Sequence, residues 1–333
     1  MRTILTVLFV LLCAPMAHAG DTLGRGPAPA WVKAIPAAEA STPSAGDAFR
    51  IEVFEQQFFF DEAGSQVYLR TRVAILTPQA LSGFGTVALP WNPASQDVTV
   101  HALAIIRGEE RIDALAGKEF AILRREANLE AAVVDGLLTA TLQLDDLRVG
   151  DRLEFAYSMK TRIPLLGSHA EFVASGALPA TADQFYLRGS WPTATGMQIR
   201  TTDDWAAPDI RRQGDRSSFE LLRDGLEPVL VPENAPLRFH HVRQIEGTDY
   251  RAWGDVAAVF APLYAEASVL AADSPLRAEI ERIRSANPDQ SGQVLAALRL
   301  VQDEVRYLAL AMGEGGLVPA TADQTWSRRL GDC

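Results

Sequence analysis

Residues 137–160 read LLTATLQLDDLRVGDRLEFAYSMK, and apolar and polar side chains alternate with a period of two in both halves of this stretch. Successive side chains of a β-strand point to opposite faces, so this period predicts two half-buried strands joined by a turn at Gly150-Asp151. The predicted inner faces carry Leu138, Ala140, Leu142 and Leu144, and then Leu153, Phe155, Tyr157 and Met159. The outer face of the second strand is predicted to carry Arg152, Glu154, Ser158 and Lys160. The stretch therefore favours an antiparallel β-structure with one apolar side.

The same period continues in both directions, from Ala48 to about Gly247. Six more strands are predicted in RIEVFEQQFFF, QVYLRTRVAIL, VTVHALAII, QFYLRGSW, GMQIRTT and SFELLRDG. Many short strands separated by Gly, Pro, Asp and Asn are typical of an antiparallel sandwich or barrel rather than of a parallel α/β sheet. We therefore assign residues 48–247 to an antiparallel β-sandwich domain and expect a mainly β fold.

After Trp253 the pattern becomes helical. DVAAVFAPLYAEASVLAA (255–272) predicts a first helix, and Ser274 and Pro275 are a favourable N-cap and first residue for a second. In GQVLAALRLVQDEVRYLAL (292–310) the apolar residues recur at steps of four and three, which predicts an amphipathic helix that packs on a neighbour; they are Val294, Leu298, Val301, Val305 and Leu308. Strands followed by helices indicate a second domain, over residues 248–333.

The first 19 residues predict export. Arg2 supplies one positive charge, ILTVLFVLLCAPMA is apolar, and Ala17-His18-Ala19 fits the small-x-small cleavage rule. Such a segment is a secretory signal peptide, and we expect cleavage after Ala19 and a periplasmic or secreted protein. Residues 20–47 are rich in Ala, Pro and Gly, and we interpret them as an extended linker or edge segment in which Trp31 and Ile35 are candidates to dock on the body.

Charge limits the partners. Cleavage after Ala19 would leave 314 residues with 30 basic and 42 acidic side chains, a formal charge of −12. An acidic chain without a basic patch argues against nucleic acid and against anionic membrane surfaces. No later stretch is apolar enough to span a bilayer, so we expect no membrane insertion after cleavage. The expected substrate or partner is a protein or peptide in the periplasm.

Cys333 is the only cysteine outside the signal peptide, because Cys13 lies inside it. A lone thiol in an oxidising compartment has no partner in its own chain for a disulfide, which favours a nucleophilic role. The glycine-rich residues Gly313–Gly316 lack the Lys-Ser/Thr pair of a phosphate-binding loop. We expect no metal and no cofactor, and we assign core or solvated roles to the histidines His101, His169, His240 and His241.

VQDEVRYLALAMGEGGLVPATADQTWSRRLGDC (301–333) resembles the stretch before the nucleophile of bacterial transglutaminase-like domains. In that family a helix ending in V/I-R-Y is followed by a Gly-rich loop, an aliphatic-Pro segment, a short helix and G-D-C. Two stretches, DGLEPVLVPENAPL (224–237) and YRAWGDVAAVFAPLY (250–264), resemble the join to a β-sandwich of unknown function in exported bacterial proteins. Residues 122–158 resemble the middle of that sandwich. The resemblance covers most of the chain and only the first part of the catalytic domain.

The resemblance implies that residues 248–333 are the incomplete helical start of a transglutaminase-like domain, which has a papain-like α+β fold. It also implies that Cys333 is the nucleophile of a Cys-His-Asp triad, which attacks an amide carbonyl and forms a thioester that water or an amine resolves. The family's histidine and acid follow the cysteine, so we expect a fragment that is inactive by itself. Gln324 and Trp326 are candidates to stabilise the oxyanion, with a packing role as the alternative for each.

A second interpretation belongs to another functional class. The chain would then be a complete, non-enzymatic β-sandwich protein of the periplasm that binds a partner or serves as a scaffold, and its helical tail would cap the sandwich.

Overall fold

The structure is a computed structural model, and it describes residues 19–36, 47–126, 128–202, 205–229, 234–236, 243–312 and 316–331. The predicted signal peptide therefore lies outside the described residues except for Ala19, and so do His240, His241 and Cys333. Within the described part, strands dominate up to Thr248 and helices dominate from Trp253. The prediction of a mainly β fold is confirmed.

The sandwich contains sixteen of the described strands, and several of them alternate buried residues with more exposed ones. In chain order they are β1 (Leu23–Arg25), β2 (Phe49–Asp61), β3 (Gly64–Ile75), β4 (Thr86–Trp91), β5 (Gln96–Arg107), β6 (Glu110–Asp113), β7 (Ala121–Arg124), β8 (Val133–Val134), β9 (Leu138–Gln143), β10 (Arg152–Thr161), β11 (Glu171–Ser175), β12 (Ala182–Pro192), β13 (Gln198–Thr201), β14 (Arg211–Gln213), β15 (Arg216–Leu226) and β16 (Gln244–Thr248).

Five α-helices and three two-residue strands complete the described elements. The helices are α1 (Pro78–Phe84), α2 (Trp253–Ala267), α3 (Leu276–Ala286), α4 (Gln290–Glu304) and α5 (Ala322–Arg328), and the strands are β17 (Arg306–Tyr307), β18 (Ala309–Leu310) and β19 (Leu330–Gly331). Short 3₁₀ turns lie at Ala19–Asp21, Leu129–Ala131, Pro164–Leu166 and Thr193–Thr195.

One large sheet forms the base of the sandwich. Its strand order is β1-β5-β10-β3-β2-β12-β15-β14, with β6 paired to β5. Most pairings are antiparallel, but β12 runs parallel to β2 and β1 runs parallel to β5. Two three-stranded sheets, β4-β9-β7 and β11-β16-β13, lie against this base. The sandwich therefore has one broad layer faced by two narrow ones.

Each narrow sheet buries its own core against the base. The larger core joins β2, β12 and β15 to β11 and β16, and its aromatic members include Phe172, Phe185, Trp191 and Phe219. The cores under β4 and β9 are formed mainly by aliphatic residues of those strands and of β5. Fully burying one such side chain contributes about 1.5–3 kcal/mol, so these cores supply the main stabilisation of the sandwich.

The turn at Gly150-Asp151 connects two strands that lie in different layers of the sandwich, so these strands do not form a hairpin. β9 pairs with β4 and β7, whereas β10 pairs with β3 and β5 of the base. The inner faces of the two strands meet in one core, where Leu142 and Leu144 pack with Leu153. Gly150 has a φ of 93°, a left-handed conformation that glycine adopts without strain. The period in this stretch identified the apolar faces but not the sheet to which each strand belongs.

The outer face of the base sheet carries a buried charge network. Glu154 was predicted to lie on the outer face, and its residue is only 6% exposed. It forms ion pairs with Arg72 and Arg111, and a guanidinium nitrogen of Arg70 lies 3.6 Å from its carboxylate. Arg70 in turn donates to Glu55 at 2.6 Å. A carboxylate can be buried on a sheet face when guanidinium groups satisfy it. Glu154 therefore lies on the outer face, as predicted, and its guanidinium partners bury it there.

The segment Gly20–Lys33, which we call the strap, crosses this outer face. Trp91 Nε1 donates to the Gly20 carbonyl at 2.7 Å, and β1 extends the edge of the sheet. Trp31 donates to Gln66 at 3.1 Å and stacks on Phe59. The backbone of Lys33 exchanges two hydrogen bonds with the Gln57 side chain. The strap is thus part of the sandwich, with Trp31 docked as the sequence indicated.

The helical region has almost no interior of its own. Among the described residues from 251 to 331, only Ser274 and Ile283 are buried. The predicted stripe on α4 is exposed, with Val294 at 61% and Leu298 at 52%. A parallel pairing of β18 with β8 and the contact of Met312 with Gly136 connect this region to the sandwich.

Candidate functional site

The segment that leads towards Cys333 is held by a backbone pairing between β17 and β19. The sequence predicted a helix through residue 310, but α4 ends at Glu304, and Val305 is extended with φ −113° and ψ 126°. Arg306 N–H donates to the Arg329 carbonyl at 2.8 Å, and Leu308 N–H donates to the Gly331 carbonyl at 2.9 Å. This pairing, which is not local in sequence, fixes the backbone at Leu330-Gly331.

Helix α5 presents the first oxyanion candidate, Gln324, through a capping box. The Thr321 hydroxyl accepts from Gln324 N–H at 3.1 Å, and the Gln324 side-chain oxygen accepts from Thr321 N–H at 3.1 Å. The T-x-x-Q spacing at 321–324 is the sequence signature of this cap. The side-chain oxygen of Gln324 therefore stabilises the start of α5, while its amide nitrogen has no hydrogen bond within the described residues.

The second candidate, Trp326, contacts a cation. The Arg329 guanidinium carbon lies 3.4 Å from the centroid of the Trp326 ring. Arg329 has a φ of 57° at the end of α5 and lies 3.5 Å from Glu304. The indole thus supports the turn that leads into β19, which corresponds to the packing alternative for this residue.

Asp323 fastens α5 to the loop before α3. Its carboxylate accepts from the Ser274 hydroxyl and from Ala271 N–H at 3.1 Å. These hydrogen bonds, the Ser274 one foremost, hold the pKa of Asp323 below its usual value. Ser274 also accepts from Leu276 N–H at 3.2 Å, so the predicted cap residue of α3 serves both the helix and the anchor.

A cavity of about 580 Å³ lies beside this segment. Its walls come from the end of α2, from residues 308–310, from the loop 316–320, from α5 and from β19. Gln324 and Gly331 both line it, whereas Trp326 does not. Cys333 follows Gly331 by two positions and lies outside the described residues.

Two of the four histidines named from the sequence are described, and both belong to the sandwich. His101 lies between the Gly26 carbonyl and the Ser158 hydroxyl, each at 2.9 Å from a ring nitrogen. His169 donates to the Asp249 carboxylate at 3.1 Å and stacks on Tyr250 at 4.2 Å. Because Asp249 follows β16, this pair fastens the connection between the sandwich and α2.

Two features of the sandwich had no clear signal in the sequence. The charge network around Glu154 depends on Arg72, 82 positions away, and the His169–Asp249 pair spans 80 positions. No local pattern reports such distances. Within the described residues, no group of three or more His, Cys, Asp and Glu side chains could hold a metal ion, and no helix is long and apolar enough to cross a membrane.

Comparison with known proteins places the sandwich in a family. The family model described as a Domain of Unknown Function with solved-structure structure (DUF3857) matches residues 62–229, about half of the chain. No curated protein matches the chain.

Two solved structures illustrate the range of structural likeness. The crystal structure of a "putative protease" from Parabacteroides distasonis has a TM-score of 0.67 at 11% identity, over 86% of this chain and 56% of that one. At this identity the likeness concerns the fold alone, and this chain spans little more than half of that protein. An M1 zinc metallopeptidase from Deinococcus radiodurans has a TM-score of 0.30 at 13% identity, over 60% of this chain and 42% of that one. A TM-score of 0.30 does not indicate a shared overall fold.

Proposed function

The chain belongs to the DUF3857 family, and from that premise we propose that it carries the nucleophile segment of a transglutaminase-like cysteine acyl-transfer enzyme, exported to the periplasm. In this proposal residues 1–19 are the signal peptide, residues 48–247 the sandwich, and residues 248–333 the start of the catalytic domain. Cys333 is the nucleophile. The substrate is an amide in a protein or peptide.

The observation that carries the proposal is the order of elements before Gly331-Asp332-Cys333. An extended Arg306-Tyr307 segment follows α4, a capped short helix follows an aliphatic-Pro segment, and a backbone pairing returns the chain to residues 306–308. The aliphatic-Pro segment and the short helix before G-D-C follow the motif order of the transglutaminase-like family, whereas V-R-Y follows α4 here as an extended segment instead of ending the helix. A three-residue motif alone would be weak support, whereas the ordered set is specific.

The chemistry assigned to Cys333 is nucleophilic catalysis. Its thiolate would attack an amide carbonyl, the amine would leave with a proton, and water or a second amine would cleave the thioester. A histidine takes the thiol proton and returns it to the leaving amine. Both described histidines are engaged in the sandwich, which agrees with a partner histidine elsewhere.

Two further observations support the proposal. The "putative protease" shares the fold over most of this chain and is longer than it. The capping box, the Trp326–Arg329 contact and the Asp323 anchor hold the backbone just before the cysteine. Rigid support of a nucleophile favours catalysis because the reacting atoms need a defined geometry.

The proposal is tested by comparing the protein purified from its native cells with the 333-residue chain. The native protein is expected to release amine or ammonia from a peptide amide, and Cys333→Ala is expected to lower kcat by at least about a thousandfold. The 333-residue chain is expected to show no turnover by itself, because both described histidines are engaged in the sandwich.

Ser82→Ala, which removes an exposed hydroxyl group from α1 of the sandwich, is the control and should leave turnover unchanged. Full activity of Cys333→Ala would contradict the proposal. So would a native protein whose intact mass ends at Cys333 and that has no turnover, a result that would favour the binding or scaffold alternative.

A further inference from the structure

A second cleft lies far along the chain from Cys333, between the narrow sheet β11-β16-β13 and the start of α2. Its volume is about 700 Å³, within the usual range for ligand sites, and such sites are common where two structural units meet. We propose that this cleft binds an extended polypeptide segment that carries side chains of both charges. The inference does not depend on the role of Cys333.

The floor of the cleft is the outer face of the three-stranded sheet. Alternate residues of β11 point into the core, such as Phe172 and Ala174, while Glu171 and Val173 lie on the exposed side. Two cross-strand rows result. One row joins Val173, Glu246 and Arg200, and the other joins Glu171, Thr248 and Gln198. The first row thus places polar side chains on two of the three strands, and the second places them on all three.

The charged groups of the cleft are not paired with each other. Arg200 lies directly opposite Glu246 in the sheet register. Glu171 and Arg251 complete two acids and two bases that line the cleft. Within the described residues, none of these four side chains forms an ion pair, although elsewhere in the sandwich such neighbours do pair, as Arg70 and Glu55 show. Acidic and basic side chains that are not paired with each other are each available to form an ion pair with a ligand group of opposite charge.

Trp253 forms the apolar part of the wall. It is the first residue of α2, it is 87% exposed, and it lines the cleft with Val256. Large aromatic side chains on a surface are typical of binding sites, because they bury a large area at a low cost in conformational entropy. Val173, 57% exposed on the floor, adds a second apolar contact.

The wall is held in place relative to the floor. The His169–Asp249 pair and the stacking of His169 on Tyr250 fasten the connection just before Trp253. Asp255 accepts from the N–H groups of Arg251 and Ala252 at 2.8 and 3.2 Å, which fixes the first turn of α2. A cleft whose two sides are tied in this way is preorganised, so a ligand loses less affinity to ordering the protein.

The chemistry of the lining favours a polypeptide. A ligand has to offer basic groups to Glu171 and Glu246, acidic groups to Arg200 and Arg251, and apolar surface to Trp253. An extended peptide with alternating charged and apolar residues meets all three requirements, because its side chains alternate between two sides. A neutral oligosaccharide offers surface for stacking and hydroxyl groups but no charges of either sign.

The test measures binding by fluorescence anisotropy. The probe is a fluorescein-labelled peptide with blocked ends, Gly-Lys-Leu-Glu-Leu-Lys-Leu-Glu-Gly, added to the 333-residue chain with Cys333→Ser. Saturable binding is expected, and Trp253→Ala and Arg200→Glu should each raise Kd at least about tenfold. A peptide with Ser at the four charged positions should bind at least about tenfold more weakly.

Two controls match the variants in chemistry and differ in position. Leu298→Ala removes an exposed apolar side chain of α4, and Arg211→Glu reverses an exposed charge on β14. Both should leave Kd within about twofold.

The proposal is overturned if the probe does not bind, if the uncharged peptide binds equally well, or if Trp253→Ala has no more effect than Leu298→Ala. Displacement of the probe by chitohexaose at equal concentration would assign the cleft to a saccharide instead. None of these results bears on turnover by Cys333, which its own variant decides.

Discussion

The sandwich of this chain buries its apolar side chains, whereas the helical region leaves many of them exposed. In the sandwich, Leu187, Phe185 and Ile245 are fully buried between two layers. In the helical region, Leu298 and Val301 on α4 are each 52% exposed, although the sequence repeats apolar residues there as regularly as in any strand. A regular repeat of apolar residues thus forms a buried core in the sandwich and an exposed helix face in the helical region.

This difference shows that an amphipathic pattern identifies which face of a strand or helix is apolar. It does not identify the element that covers this face. Apart from β8, which pairs with β18, the strands of the sandwich find their partners within residues 20–248, where two narrow sheets cover the base. The helices are tied by polar contacts, such as Asp323 with Ser274, and by short backbone pairings, such as β18 with β8. Most helical stability in proteins comes from the packing of an apolar face, so these helices are expected to be the weaker region.

The largest expected effect comes from making the same substitution in both regions. Leu187→Ala in β12 opens a cavity between the sheets and should lower the free energy of unfolding by about 2–5 kcal/mol. Leu298→Ala in α4 removes an exposed side chain and should change it by less than about 0.5 kcal/mol. Urea unfolding followed by tryptophan fluorescence measures both. Equal losses in the two variants would break the comparison.

A smaller effect tests whether the strap belongs to the sandwich. A Cβ added at Gly20 would lie 1.9 Å from the Pro93 carbonyl oxygen, whereas a Cβ at Gly26 meets nothing within 4 Å. Gly20→Ala should therefore destabilise the sandwich by about 1–3 kcal/mol. The matched variant Gly26→Ala should stay within about 0.5 kcal/mol of the parent. If thermal unfolding shifts by the same amount in both, the strap contributes no specific contact.

The buried charge network around Glu154 should make the stability of the sandwich depend on pH. Burial alone would raise the pKa of Glu154, but the ion pairs with Arg72 and Arg111 hold it below its usual value. Because the pKa is lower in the folded state, this stabilisation is present above the unfolded pKa of ~4.3 and is lost as the pH falls through the folded pKa. Urea midpoints measured from pH 6 to pH 3 should fall less steeply for Glu154→Gln than for the parent. Glu246→Gln, at an exposed position, is the charge-matched control, and a parent-like slope in Glu154→Gln would contradict the assignment.

The smallest effect is local to α5. Asp323→Asn weakens the acceptor for the Ser274 hydroxyl and the Ala271 N–H, so the amides of residues 322–328 should exchange faster while the urea midpoint of the sandwich stays the same. Asp303→Asn, an exposed change on α4, is the control and should leave α5 as it is. A shift in the sandwich midpoint on Asp323→Asn would show that the two regions unfold together.

Much of the secondary structure could be predicted from local patterns, and the pairing of the strands could not. The period of two located β9 and β10, but their places in different sheets follow from contacts with β4 and β3. The parallel pairing of β12 with β2 joins residues more than a hundred positions apart. Residues 20–33 have no period, so their role as a strap depends on individual contacts such as Trp31 with Gln66. A one-dimensional pattern contains no information on such long-range pairs.

The candidate site shows the same division. The capping box at Thr321 and Gln324 follows from a local T-x-x-Q spacing and could be predicted from the sequence. The end of α4 at Glu304 could not, because the pairing of residues 306–308 with residues 329–331 replaces helical hydrogen bonds there. The roles of Cys333, Gln324 and Trp326 in catalysis stay predictions.

Hydrogen exchange of the whole chain tests the central claim, that the sandwich has a core of its own and the helical region does not. The amides of β2, β3 and β12 are expected to exchange at least about a hundredfold more slowly than those of Gln290–Glu304 in α4, measured by mass spectrometry at one pH and temperature. Equal protection in these strands and in α4 would contradict the claim, because it would mean that both regions unfold as one unit.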